Sequence, residues 1–124
     1  MARTPAMSSF EEEGTVVRQV SFHGEFRLIG LSRDQMPTVA EAIMEEMLKL
    51  EESGTGLFDS AVSVDVGKFL VEIETIASAT DFDVATAIIR SSVRSAFHAT
   101  GGHTAGWDDV VIEQQRDNMK LLSA

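Results

Sequence analysis

The first regular pattern along the chain is an alternation of apolar and polar side chains from Val16 to Ile29. One parity is apolar except for Arg18 and Gly24, and the other parity is polar from Gln19 to Arg27. A period of two is typical of a strand that buries one face. The pattern predicts a first strand over these residues, in which Gly24 marks a bulge or a bend. The polar parity comprises Gln19, Ser21, His23, Glu25 and Arg27.

The pattern then changes to apolar residues at spacings of three and four, from Met36 to Leu50, with acidic residues mostly between them. This periodicity predicts an amphipathic helix with one buried face. Asp34 is placed to cap its N-terminus, and Pro37 falls in the first turn, where a missing N–H costs little. Gly54 is expected to end the helix.

A β-hairpin is predicted where two alternating segments, residues 61–66 and 69–76, flank the dipeptide Gly67-Lys68. A two-residue loop with glycine first is typical of a type II′ turn. Such a loop fixes a register that places the apolar side chains of both segments on one face, so turn and pattern agree. The apolar pairs in this register are Val66 with Phe69, Val64 with Val71, and Val62 with Ile73.

A second amphipathic helix is predicted from Val84 to Phe97, capped by Thr80 or Asp81 and ended by Gly101-Gly102. The stretch 109–118 predicts a last strand. An alternative for the apolar tail after it, which contains Met119, Leu121 and Leu122, is a helical turn.

The order of elements is therefore strand, helix, hairpin, helix, strand. Short connections and right-handed crossovers leave few compact arrangements for this order. The simplest is an α+β, ferredoxin-like β-α-β-β-α-β domain, with two helices on one face of an antiparallel four-stranded sheet. Residues 16–124 would form this single domain, and residues 1–15 would be a flexible leader.

Composition narrows the function classes. The 124 residues include 20 Asp and Glu against 10 Lys and Arg, which gives a net charge of −10. This balance argues against nucleic acid and anionic membranes as partners, since both attract Lys and Arg. The chain has no cysteine, which removes disulfides and thiolate chemistry and suits a cytoplasmic location.

The sheet face without helices would carry polar side chains from three strands. His23, Glu25 and Glu72 have the chemistry of a general base or a metal site. However, alternate residues of any strand share a face, so this spacing is common among unrelated polar residues. We predict no metal and no cofactor. The candidates for ligand or partner contacts on this face are His23, Glu25, Arg27, Asp65, Glu72 and Glu74.

The stretch from Phe97 to Asp109 holds two histidines, three glycines and the only tryptophan. His98, His103 and Trp107 are further candidates for a ligand site. The spacing of the two histidines matches no metal motif, and helix termination with packing of Trp107 on the core also accounts for the segment.

Residues 98–107, His-Ala-Thr-Gly-Gly-His-Thr-Ala-Gly-Trp, resemble the His-Ala-x-Gly-Gly-x-Thr-x-Gly-Trp signature of a group of small bacterial α+β proteins of unknown function. A Val-Ser-Val-Asp-like strand precedes an acidic strand and a helix in these proteins too. The resemblance covers about residues 20 to 112. It implies the same compact fold and no particular substrate.

The sequence contains no nucleophile or metal motif, and the predicted fold is small and acidic. We therefore expect a non-enzymatic accessory or protein-interaction module, leaning away from an enzyme. Its partner would be a protein, and the negative charge would suit a basic one. The module would form a homodimer. The alternative is a small-molecule-binding regulatory domain, or a small enzyme with its site at a sheet interface within a dimer.

Overall fold

The alternating segment near the start of the chain forms a central strand of an antiparallel sheet. The computed structural model describes residues 17–123, so the expected leader at residues 1–15 lies outside the described residues. The strands are β1 (Arg18–Ile29), β2 (Leu57–Asp65), β3 (Leu70–Ala79) and β4 (Val111–Ser123), and the helices are α1 (Met36–Glu52) and α2 (Phe82–Gly101).

The strands lie in the order β2-β3-β1-β4, and both helices pack on the same face. The predicted ferredoxin-like fold is therefore confirmed. Helix α1 contacts β2 and α2, while α2 contacts β3 and β1. The outer strand β4 depends mainly on β1, and its side chains are mostly exposed. Neither described helix is long and apolar enough to cross a membrane.

The hairpin register is confirmed, but the predicted turn is wrong. Val64 pairs with Val71 and Val62 with Ile73. Residues 66–69 form a four-residue loop, which begins with a three-residue 3-10 turn and ends with Phe69 at φ 56°. The Asp65 carboxylate accepts a hydrogen bond from the Lys68 N–H at 3.2 Å. This bond stabilises a turn in which Phe69, not Gly67, takes the left-handed conformation.

Both helices begin and end close to their predicted limits. Asp81 caps α2 by accepting a hydrogen bond from Val84 N–H at 2.8 Å, and Gly54 follows α1 with φ 82°. Asp34 was expected to cap α1, but it does not; the residue at the cap position is Gln35. A 3-10 turn at residues 33–35 leads directly into α1, and the Gln35 side chain accepts a hydrogen bond from Ser32 N–H at 3.0 Å.

The last strand is longer than predicted. It continues to Ser123, and the apolar tail belongs to it, so the helical-turn alternative is wrong. An irregularity in its pairing with β1 falls between Glu25 and Phe26. Gln115 is the extra residue there, because Glu25 pairs with Arg116 and Phe26 with Gln114. The bulge expected at Gly24 therefore lies one residue later and on the partner strand.

Gly24 has a packing role within β1. A Cβ at this position would lie 2.4 Å from Cζ of Phe22 and 2.9 Å from Cε1 of Phe26. The glycine therefore lets the two rings lie over it on the face that the helices cover. The side chains buried on this face form one core cluster, whose β1 members are Val20, Phe22, Phe26 and Leu28.

Trp107 packs on the end of α2. A Cβ at Gly101 would lie 2.3 Å from both Cδ1 and Nε1 of Trp107, whereas a Cβ at Gly102 would come no closer than 3.4 Å to the Ala99 carbonyl oxygen. Gly101 therefore provides the surface on which the indole rests. The expected packing of Trp107 onto the body of the protein is present.

We predict that Gly101→Ala displaces Trp107, because its methyl group would occupy the space of the indole ring. Overpacking of this kind costs about 1–3 kcal/mol, partly offset by the roughly 1 kcal/mol that alanine gains in a helix. Denaturant unfolding followed by the fluorescence of Trp107 measures both effects. Gly102→Ala is the matched control and should leave the emission maximum unchanged. Equal emission spectra for the two variants would contradict this account.

Candidate functional site

The sheet face that carries no helix brings four of the predicted candidates together. In the pairing of β1 with β3, His23 lies opposite Glu74 and Glu25 lies opposite Glu72. We call these four residues the His23 cluster. Its side chains share the uncovered face because alternate residues of a strand point the same way.

Distances within the His23 cluster are longer than hydrogen bonds. Nε2 of His23 lies 3.9 Å from an oxygen of Glu72 and 3.9 Å from an oxygen of Glu74. One ligand atom from each of His23, Glu25 and Glu72 can be chosen so that all lie within 4.8 Å of one another. The sequence singled out these residues, and the structure places them side by side.

Arg27 of β1 and Asp65 of β2 lie on the same face, at some distance from the His23 cluster. Arg27 pairs with Leu70 and with Glu113, two positions from Glu25. Asp65 caps the hairpin turn, which gives its carboxylate a structural role. Neither residue belongs to the His23 cluster.

The candidates after α2 do not join the His23 cluster. His98 is exposed in the last turn of α2, and His103 is exposed in the loop that follows. Trp107 is half-buried against Gly101. Within the described part of the chain, neither His98 nor His103 belongs to a group of three close metal-ligating side chains.

The structure also forms a site that the sequence analysis missed. An open cleft of about 220 Å³ lies on the helix-covered side of the sheet, between α2 and the pair β1–β4. We call it the helix–strand cleft. It exists because α2 lies over β3 and β1 and leaves β4 uncovered. Its lining residues are Phe22, Phe26, Arg90, Val93, Arg94, Phe97, Ile112 and Gln114.

The walls of the helix–strand cleft are aromatic. The rings of Phe26 and Phe97 meet edge to face, with centroids 5.0 Å apart and planes at 70°. Such an arrangement is favourable between aromatic rings and holds both in place. Phe22 lines the cleft beside them. Only the edges of the three rings reach the cleft, because Phe22, Phe26 and Phe97 are 4%, 6% and 7% exposed.

Two arginines of α2 line the cleft among these apolar walls. Arg90 donates to Asp117 of β4 at 2.7 Å, so its charge is already paired. Arg94 is exposed and makes no ion pair with the residues that the structure describes. An anionic group in the cleft would therefore meet Arg94 as its available cation.

Two features of the sequence could have indicated the cleft. Arg90 and Arg94 are four residues apart and so lie on one side of α2, although a solvated helix face has the same spacing. Gly24 separates Phe22 and Phe26 on the covered face of β1. Both phenylalanines were assigned to the core, which is correct by burial, and only the position of α2 shows that they also line a cleft.

Comparisons with known proteins support the fold. No family model and no curated protein matches this sequence. A dimeric ferredoxin-like protein from an uncultured marine organism has a similar structure, with a TM-score of 0.50 and 12% identity over 85% of this chain and 95% of that one. At this identity the likeness shows the fold alone.

Two further similar structures carry enzyme names. A proposed antibiotic biosynthesis monooxygenase from Chloroflexus aurantiacus has a TM-score of 0.49 and 13% identity, over 86% of this chain and 94% of its own. SnoaB, named a cofactor-independent oxygenase from Streptomyces nogalater, has a TM-score of 0.41 and 15% identity, over 86% and 93%.

The expectation of a non-enzymatic interaction module is not kept. The helix–strand cleft, which that expectation did not foresee, fits the alternative better, a small-molecule-binding domain or small enzyme. A small fold without a known motif does not indicate that the protein binds no ligand. The helix–strand cleft is lined partly by core residues that form no recognisable motif. The resemblance of residues 98–107 to small bacterial proteins stays a prediction.

We predict that the Arg90–Asp117 pair contributes about 0.2–1 kcal/mol to stability, because both side chains contact solvent. A double-mutant cycle with Arg90→Ala and Asp117→Asn measures this coupling. It should fall as salt rises, since ions screen exposed charges. The cycle of Arg94→Ala with Asp117→Asn is the control and should show no coupling. Equal coupling in the two cycles would contradict the assigned pairing.

Proposed function

We propose that this chain is a small-molecule-binding domain, and a small enzyme when its ligand is a substrate, with the ligand in the helix–strand cleft. The observation that carries the proposal is an open cleft of mixed polarity, with the edges of three phenylalanine rings in its walls and the available cation Arg94 beside them. Concave, mostly apolar surfaces with a few placed polar groups are the usual form of small-molecule sites.

The cleft favours a particular ligand chemistry. Its volume of about 220 Å³ suits a compound of one or two rings. The aromatic walls favour a planar apolar body. Arg94 favours a carboxylate or phenolate at one end, because a guanidinium forms strong charge-assisted hydrogen bonds with anions. We therefore infer a planar aromatic anion as the class of ligand.

Among the lining residues, the polar side chains are Arg90, Arg94 and Gln114. None of them is a usual general base at neutral pH. An enzymatic reaction in the cleft would therefore rely on the reactivity of the substrate, with the walls positioning it and excluding water. The first activity to assay is oxygen uptake with aromatic anions, the reaction class that the names of two similar structures suggest.

The probe for the cleft is 2-naphthoate, compared with the uncharged 2-naphthamide. We expect naphthoate to shift the NMR signals of Ile112 and the cleft phenylalanines. Arg94→Ala should weaken naphthoate binding about two- to fivefold, the value of an ion pair between exposed groups. The same change should leave naphthamide binding nearly unaltered, because the amide carries no charge.

A filled cleft provides the matched control. Ile112→Trp places a large side chain in the cleft and should abolish binding of both probes. Val111→Trp makes the same change on the neighbouring residue of β4, which points to the other face, and should leave binding intact. Probe-induced shifts that survive in Ile112→Trp would show that the ligand lies elsewhere and overturn the proposal.

We also propose that the chain forms a homodimer, and that the uncovered sheet face forms the contact. The name of one similar structure describes that protein as dimeric. Half-buried apolar side chains at Phe58, Leu70 and Ile76 lie on this face beside its charged groups. Pairing with a second copy would cover them.

A single substitution tests this assembly. Ser63 lies on the same face, and its hydroxyl donates to Glu72 at 3.2 Å. Ser63→Glu adds a negative charge beside Glu72 and should convert the dimer to a monomer, measured by analytical ultracentrifugation. Ser95→Glu, on the exposed side of α2, is the control and should leave the mass unchanged. A wild-type monomer, or a dimer that survives Ser63→Glu, would contradict the proposal.

A further inference from the structure

The His23 cluster lies on the opposite side of the sheet from the helix–strand cleft and has no part in the proposed function there. It combines one imidazole with three carboxylates on two adjacent strands. The imidazole Nε2 atom has no hydrogen-bond partner among the described residues, and two of the carboxylates, Glu25 and Glu72, lie directly opposite each other.

The His23 side chain is 40% exposed, but its Nε2 atom is itself shielded from solvent and has no hydrogen-bond partner among the described residues. A shielded polar atom of this kind is costly unless something binds it. The nearby oxygens of Glu72 and Glu74 are 3.9 Å away, too far for a hydrogen bond. The atom therefore points into a gap bordered by carboxylates.

The gap has the dimensions of a metal site. Two ligand atoms that bind the same ion, each at about 2.0–2.2 Å from it, are less than about 4.4 Å apart. Nε2 of His23 is 3.9 Å from the nearest oxygen of Glu72, and ligand atoms of His23, Glu25 and Glu72 all lie within 4.8 Å of one another. Small rotations of these side chains would bring the ligand atoms to the spacing of a metal site.

The carboxylates also need a positive charge. Glu25 and Glu72 are directly opposite each other on paired strands, an arrangement in which like charges are destabilising. The Glu25 side chain is only 18% exposed, and its one cationic neighbour among the described residues is Arg116, whose side chain is 76% exposed and whose Nε forms a long ion pair with it at 3.9 Å. A cation held between the carboxylates would remove this repulsion.

From these observations, we propose that His23, Glu25 and Glu72, with Glu74 as a further ligand, bind one divalent first-row transition-metal ion. One imidazole nitrogen with carboxylate oxygens is a ligand set that Zn²⁺ and its neighbours accept. The Ser63 hydroxyl, which donates to Glu72, would orient that carboxylate as outer hydrogen bonds do at metal sites. In the proposed dimer, the ion would also offset carboxylate repulsion at the contact.

The test uses the full chain after treatment with a chelator. Isothermal titration with Zn²⁺ in excess Mg²⁺, which occupies weak acidic sites, should show saturable binding of one ion per chain. Co²⁺ in place of Zn²⁺ should give a visible absorption spectrum with the same stoichiometry. His23→Ala and Glu72→Gln should each weaken binding at least about tenfold and change the cobalt spectrum.

The matched controls remove the same chemical groups elsewhere. His98→Ala removes an exposed imidazole from α2, and Glu41→Gln removes an exposed carboxylate from α1; both should bind zinc as the wild type does. Circular dichroism verifies that each variant is folded. Two results would overturn the proposal. One is the absence of saturable zinc binding up to about 1 mM, and the other is equal affinity in the wild type and His23→Ala.

Discussion

Strict alternation along β1 is the constraint on which the rest of the structure depends. This strand pairs with both β3 and β4, so its two faces set the character of the whole sheet. Its apolar parity includes Phe22 and Phe26 and faces the helices, while its polar parity includes His23 and Glu25 and faces away. A slip of one residue would exchange the two faces. Both candidate sites therefore depend on the same register.

The two sites differ in how the fold produces them. The His23 cluster follows from strand pairing alone, because cross-strand neighbours are fixed once the register is set. The helix–strand cleft follows from the unequal cover that two helices give to four strands. Helix α2 lies over β3 and β1, so the aromatic side chains of β1 are buried by α2 on one side and meet an open space beside β4 on the other.

Local signals were sufficient for the fold and insufficient for its details. The register of Val64 with Val71 was predictable because a buried face tolerates only one pairing. The turn was not, because Asp65 stabilises a four-residue loop through Lys68 N–H, and a dipeptide motif carries no information on this bond. The tail of β4 was ambiguous for a related reason: an exposed edge strand has no buried face to impose a clear alternation.

The candidate site was predictable only in part. The sequence identified His23, Glu25 and Glu72 as residues of one face, but the orientation of Nε2 is a tertiary property. Phe22 and Phe97 were recognisable as core residues by their spacing. An aromatic ring can be mostly buried in the core and still place one edge in a cleft, as Phe22 and Phe97 do. Only the placement of α2 relative to β4 distinguishes a filled core from an accessible one.

The position of β4 at the edge of the sheet, with mostly exposed side chains, has a consequence for the motions of the molecule. This strand completes the cleft but is held mainly by one neighbour and by the Arg90–Asp117 contact with α2. Regions with few buried contacts open at lower free energy than the core. The wall of the cleft formed by β4 would therefore exchange its amide hydrogens sooner than the β1–β3 pair. A compound bound against Ile112 would slow that exchange. Ligand binding in the cleft would therefore make β4 more rigid.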